Sequence, residues 1–221
     1  MCGRYTLTAD IDTISQRFKL DTHGLKIEPR YNIAPSQEAP VIVVEDGKVL
    51  KMMKWGLIPF WAKDESIASK TINARAETLH HKPSFKKSLT EKRCLVPADG
   101  FYEWKKEGRG KIPIRFVLKN RDVFAFAGLW DTWRNQIGEL VFSFTIITTK
   151  ANALVRPIHN RMPVILKKEY EELWLDPKVN DIDKLLSLLI PYPPEMMEAY
   201  RVSSLVNSPK EDSPECIKPV A

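Results

Sequence analysis

The stretch from residue 94 to 148 limits the possible folds more than any other part of the chain. Five short apolar segments (94–96, 101–106, 114–118, 123–129 and 140–148), rich in β-branched and aromatic residues, follow one another with only Gly, Asn and Asp turns between them. Segments this short, bounded by turn residues, read as strands, because a helix needs a longer periodic stripe to bury one face. Upstream, VIVVEDGKVLKM repeats the pattern on either side of Asp46-Gly47, a dipeptide suited to the positive φ angles of a tight hairpin turn. Helices are expected at 14–18, capped by Thr8 or Asp10, across 74–92 with an interruption near Pro83, and at 168–175 and 182–189. Residues 31–37 (YNIAPSQ) read as a loop, and the chain alternates again from Glu198 onward. The sum is an α+β protein with one domain over residues 1–221 and a mainly antiparallel, β-rich, barrel-like core flanked by helices.

Length and charge narrow the function classes. A chain of 221 residues supports one sizeable core. It has no apolar run approaching the roughly twenty residues of a membrane span. The opening MCGRYTLTADIDT lacks both a basic and an apolar signal region, so a cytoplasmic location away from membranes is expected. A net charge of +6 suits an anionic partner without identifying it. Cys2, Cys94 and Cys216 are odd in number, far apart and not in a C-x-x-C pair, which argues against a disulfide framework or a zinc site. No metal or cofactor is expected, and a monomer is the default. Cys94 and Cys216 read as buried structural thiols, and His23, His80 and His81 as surface residues.

Four positions invite chemistry. Cys2 follows the initiator methionine; once Met1 is removed, it carries an α-amine and a thiol on adjacent carbons. An amine attacks an aldehyde to give an imine, and the neighbouring thiol closes a five-membered thiazolidine with the advantage of proximity. Nearby cations would raise its thiolate fraction. Asn73 and Arg75, two apart in TINARAETL, share a face if that stretch is extended; as a bland alternative, Asn73 is a turn or cap residue. Glu103 sits among Phe101, Tyr102 and Trp104, where an apolar setting would raise its pKa into a range useful for proton transfer; otherwise it is an exposed strand carboxylate. His159 lies in PIHNRMP, between two prolines, as a candidate proton donor. Arg4 and Arg161 are candidate phosphate ligands. Trp61, followed by a polar stretch, is the preferred base-stacking residue among Trp55, Trp61, Phe101, Tyr102 and Trp104.

Taken in order, MCGR, YNIAP, WGLIPFW, INARAET, RCLVPADGFYEW, FAGLWD, FTIITTKAN, IHNRMPVIL and VSSLVNSPKEDSPECIKPV make the chain resemble the SRAP (SOS response-associated peptidase) family of abasic-site processing proteins from end to end. The resemblance implies a β-rich fold with a basic groove for single-stranded DNA. It also implies a thiazolidine cross-link from Cys2 to the ring-opened sugar of an abasic site. Asn73 would lie beside that linkage, Glu103 would assist amine attack and reversal, and His159 would support ring opening. Arg4, Arg75 and Arg161 would line the DNA channel, with Trp61 stacking. Some lyase activity would accompany an imine at that carbon. Two other readings stay open: a peptidase using Cys2 as an N-terminal nucleophile, and a module that binds single-stranded DNA without a covalent bond.

Overall fold

The computed structural model describes residues 2–21, 25–108 and 110–220; the expectation for His23 lies outside them. The strands and helices run, in order, β1 (Tyr5–Leu7), α1 (Ile11–Phe18), β2 (Arg30–Ile33), β3 (Glu38–Val44), β4 (Lys48–Trp55), β5 (Asn73–Arg75), α2 (Pro83–Glu91), β6 (Arg93–Ala98), β7 (Gly100–Glu107), β8 (Gly110–Leu118), β9 (Phe124–Arg134), β10 (Leu140–Lys150), β11 (Arg161–Pro163), α3 (Lys168–Leu175), α4 (Ile182–Ser187) and β12 (Met197–Arg201). None of the described helices is long and apolar enough to cross a membrane.

Five strands close into a barrel. β10 pairs with β9 and β4, β4 with β3, β3 with β6, and β6 returns to β9. Closure removes the free edges that an open sheet would leave. All these pairings are antiparallel except β10–β4. β10 is 11 residues long and outruns the ring, so its far end also pairs with β5 in parallel and with β11 antiparallel. A second, wholly antiparallel sheet has the order β12-β8-β7-β1-β2. The chain leaves the barrel for this sheet through one residue, Asp99. Its carboxylate accepts from the hydroxyls of Thr6 at 2.5 Å and Thr8 at 2.7 Å, from the Thr8 amide, and from Arg115 at 3.0 Å. Gly100 leaves room for that guanidinium, since a Cβ there would stand 2.7 Å from Arg115 Nε.

The main apolar core spans both sheets, and two smaller clusters lie around Tyr102 and around Trp133. Tyr5, on β1, joins the sheets: its ring lies edge-on to Trp55 of β4 at 5.2 Å and to Phe126 of β9 at 5.8 Å. The site-bearing amino-terminal strand is therefore fastened by core packing.

Most strand and helix expectations hold, with three differences. Residues 31–37 are not simply a loop, because Tyr31 to Ile33 complete β2, which pairs with β1. The β2 amides of Tyr31 and Asn32 donate to the distant Asp212 carboxylate at 2.5 and 3.0 Å, a long-range partner that composition does not reveal. Residues 74–92 are not one interrupted helix: β5 and a 3-10 turn at Ala76–Thr78 come first. Pro83 then begins α2, in a first-turn position where its missing N–H costs nothing. The helix expected at 182–189 ends at Ser187. Asp10 caps α1, accepting from the Thr13 amide at 2.8 Å.

The barrel wall is tightly packed at Gly128, where a Cβ would stand 2.8 Å from Cys94 Sγ and 3.1 Å from the Thr145 carbonyl oxygen. Overpacking of this kind costs about 1–3 kcal/mol. Gly128→Ala should lower the urea midpoint accordingly, and an unchanged midpoint would contradict this close approach.

Candidate active site

Cys2 is fully buried just before β1, at the seam between the barrel and the second sheet. From the barrel side, Asn73 opens β5 opposite Ile146 and donates its Nδ2 to the Cys2 carbonyl at 2.7 Å. Its Oδ1 is buried and has no hydrogen-bond partner among the described residues. From the other side, the Tyr102 amide of β7 donates to the Arg4 carbonyl at 3.0 Å, and the Cys2 thiol donates to the same oxygen at 3.7 Å. The tail is thus gripped by both sheets.

Glu103, the next residue of β7, is 5% exposed. Strand alternation turns it to the opposite face from Tyr102 and Trp104. His159, on the loop between β10 and β11, brings Nδ1 to 3.9 Å from Glu103 Oε1. The Arg161 amide donates to that same Nδ1 at 3.0 Å, which leaves the proton of a neutral ring on Nε2. When the ring is charged, Nδ1–H faces the Arg161 carbonyl at 3.1 Å and Glu103. Burial pushes the Glu103 carboxyl above the ordinary carboxylate range, and positive groups nearby, His159 among them, only partly oppose it. Burial also pushes the Cys2 thiol up, and the charge of Glu103 adds to the effect.

That last point corrects the expectation of a cation-activated thiolate. The Arg4 guanidinium is spent elsewhere, donating to Asn32 Oδ1 at 2.8 Å and to the carbonyls of Val206 and Asn207 at 2.6 and 3.3 Å. The largest charge effect on the thiol comes from the Glu103 carboxylate, which raises it further.

A cleft of about 560 Å³ opens over this cluster, lined by Arg4, Glu103, Trp104, Lys111, His159 and Asn207. Another cleft of the same volume lies beside α1 and β8. Its charged side chains are already matched, Arg17 with Glu171, Arg115 with Asp99 and Lys168 with Asp122, so it presents no comparable reactive set. Among the described residues, no group of three or more His, Cys, Asp or Glu is arranged to hold a metal ion.

The structure therefore brings Cys2, Asn73, Glu103 and His159 together, with Arg4 in the cleft wall. Arg75 is exposed at the end of β5, paired with Thr148 of β10. Arg161, across β10, donates to both oxygens of Glu77 at 2.7 and 2.9 Å and to the Thr148 carbonyl at 2.6 Å. Trp61 is 47% exposed on the loop after β4, outside the cleft lining. Sequence reasoning missed Lys111 and Asn207 as cleft residues. Asn207 falls in a motif already noted, VSSLVNSPKEDSPECIKPV, but nothing local marks it as facing β7.

The family model described as SOS response associated peptidase (SRAP) matches residues 1–209. The Bacillus subtilis (strain 168) abasic site processing protein YoqW is 53% identical over 223 residues, covering 99% of each chain. The Gallus gallus abasic site processing protein HMCES is 35% identical over 228 residues, covering 88% of this chain and 67% of that one. A crystal structure of a Bacteroides thetaiotaomicron protein superposes with a TM-score of 0.89 at 32% identity over the full length of both chains. Matched by the family model over most of its length and by relatives from end to end, the chain belongs to the SOS response associated peptidase family.

Proposed function

We propose that this protein captures abasic sites in single-stranded DNA covalently, through a thiazolidine formed by Cys2 after Met1 is removed. The reading takes its substrate from relatives named abasic site processing proteins. The observation that carries it is the grip of Asn73 on the Cys2 carbonyl, which holds that residue's backbone beside a buried carboxylate and a histidine at the floor of an open cleft.

His159 gives a proton to the sugar ring oxygen while water takes the proton of the anomeric hydroxyl, so that the hemiacetal opens to its aldehyde. Glu103 accepts a proton from the Cys2 ammonium, and the freed amine adds to the aldehyde carbon. The carbinolamine loses water, with Glu103 returning the proton, and leaves an iminium facing that carboxylate. The thiol sulfur then bonds to the iminium carbon and its proton leaves through Glu103. The net change is aldehyde plus cysteine giving thiazolidine plus water. A competing β-elimination from the iminium would cleave the strand, and ring closure suppresses it by consuming the iminium.

A thiol held in its protonated form suits this order, because the amine acts first. It disfavours the peptidase alternative, in which the thiolate is the attacking group. A purely non-covalent binding module has no use for a buried carboxylate whose charge is opposed by its surroundings. In the proposed complex, Arg75 offers an exposed guanidinium to phosphate and Trp61 an exposed ring to a base. Arg4 and Arg161 line the DNA path while keeping most of their contacts within the protein.

Single-stranded DNA carrying one abasic site, incubated with the protein and run on a denaturing gel, should give a shifted band. The band should be absent with Cys2→Ala and with protein whose Cys2 amine is acetylated. An equal band from either would remove the mechanism. The initial non-covalent encounter should weaken with rising salt, whereas the finished adduct should not.

Glu103 gives a second test through stability. Its folded-state pKa lies above its unfolded one, so its contribution is fully present below about pH 4, the ordinary carboxylate range, and is lost as pH rises through the folded value. At pH 8 Glu103→Gln should therefore melt at a higher temperature than the native protein, with the gap closing towards pH 4, while its capture rate falls. A Glu103→Gln protein less stable than the native one at pH 8 would show that the buried charge is well compensated.

A further inference from the structure

We propose that Asn32 is a positioning residue for this site, tying Arg4 to residues 206–211 and so fixing where the amino-terminal tail sits against Glu103 and His159. The inference deepens the capture reading and rests on it for its kinetic arm.

Asn32 is fully buried in β2, yet its amide is saturated with contacts to remote segments. Nδ2 donates to the carbonyls of Val206, Ser208 and Glu211 at 3.2, 2.9 and 2.7 Å, and Oδ1 accepts from Arg4 Nη1 at 2.8 Å. Three carbonyl oxygens and a guanidinium converging away from water need a side chain that donates at one end and accepts at the other, as an amide does. Asp212 tightens the same knot by accepting from the Tyr31 and Asn32 amides and from Arg30 Nε.

Two routes lead from this knot to the site. Arg4, clamped by its side chain, uses its own carbonyl to accept from the Cys2 thiol and the Tyr102 amide. Asn207, held in the knotted segment, uses Oδ1 to accept from Trp104 Nε1 at 2.7 Å, which fixes the indole in the cleft wall. The Arg4 guanidinium lies 5.8 Å from that indole ring, so the two routes meet. Asn32 itself does not line the cleft and touches no reacting atom; its effect passes through Arg4 and Asn207.

The test reads the exposure of Cys2 directly. The full chain is alkylated with iodoacetamide and the labelled cysteines are located by peptide mass spectrometry, with the fully buried Cys94 of β6 in the same molecules as the internal standard. With its buried amide contacts gone, Asn32→Ala should label Cys2 about tenfold faster relative to Cys94. The single-turnover capture rate at saturating abasic-site DNA should fall by a similar factor, with affinity for intact single-stranded DNA held within about twofold. An unchanged Cys2-to-Cys94 ratio, or both cysteines speeding up together as in general loosening, would overturn the proposal. If Asn32→Ala does not fold, Asp212→Ala loosens the same knot from its half-exposed side and should shift the ratio in the same direction by a smaller factor; an unchanged ratio there is equally fatal. A shifted ratio in a protein whose native form captures no DNA would discard the capture chemistry and keep the positioning role.

Discussion

The hydrogen bond from Asn73 to the Cys2 carbonyl is the contact on which the rest of the site depends. The first residues of a chain fray unless something ties them down. Here the tie comes from β5, a three-residue strand that exists because β10 outruns the barrel and offers its free end as a partner. Without that overhang Asn73 has no fixed backbone. The length of β10, set by the apolar run to Thr148 and beyond, is therefore felt, through Asn73, at Cys2, 71 positions upstream of that asparagine. Tyr5 secures the same tail by packing, and the Tyr102 amide secures it from the second sheet. Cys2 is held between two sheets, and the seam between them is where the cleft opens.

The arrangement carries a cost in stability at the same place. Glu103 is buried with its charge disfavoured, and its negative field pushes the adjacent thiol further towards its protonated form. A sequence selected for stability alone would place an apolar or amide side chain at that position of β7. The position is instead flanked by Phe101, fully buried and stacked on Phe116 at 4.9 Å, so the strand that carries the strained carboxylate is anchored one step away by one of the better-packed ring pairs in the core. Strand alternation separates the two tasks, because Tyr102 points to the opposite face, where its hydroxyl donates to the Tyr31 carbonyl at 2.7 Å.

Much of this was legible in the sequence wherever the signal was local. The strand-rich block, the Asp46-Gly47 hairpin and the Asp10 cap follow from turn and capping chemistry within a few residues. Cys2, Asn73, Glu103 and His159 were singled out because each residue type in its immediate setting suggests proton transfer or carbonyl chemistry, and the fold brings all four together. All but one of the failures share a cause. β2 depends on Asp212, β5 on the overhang of β10, and the fate of the Arg4 guanidinium on Asn32 and Val206. Those partners are tens to hundreds of positions away, and no local pattern marks them. Pro83 misled for a different reason: proline starts a helix as readily as it breaks one, and only the preceding extended residues distinguish the two.

The arginines show how the same chemistry answers two demands. Arg4 and Arg161 each hold a planar fork against fixed acceptors, carbonyls and an amide for the first, the Glu77 carboxylate and a carbonyl for the second. Such groups organise the walls before any ligand arrives, so little conformational freedom remains to be lost on binding. Arg75, on β5, which like the β11 strand of Arg161 pairs with β10, is instead exposed. On the proposed reading, a phosphate backbone would meet one solvent-exposed cation and two held ones. The exposed one suits the long-range attraction that gathers nucleic acid of any sequence, and the held ones suit a short-range fit. On the same reading, a nucleotide with no base leaves room over Glu103 and His159 for its sugar carbon to approach the buried tail.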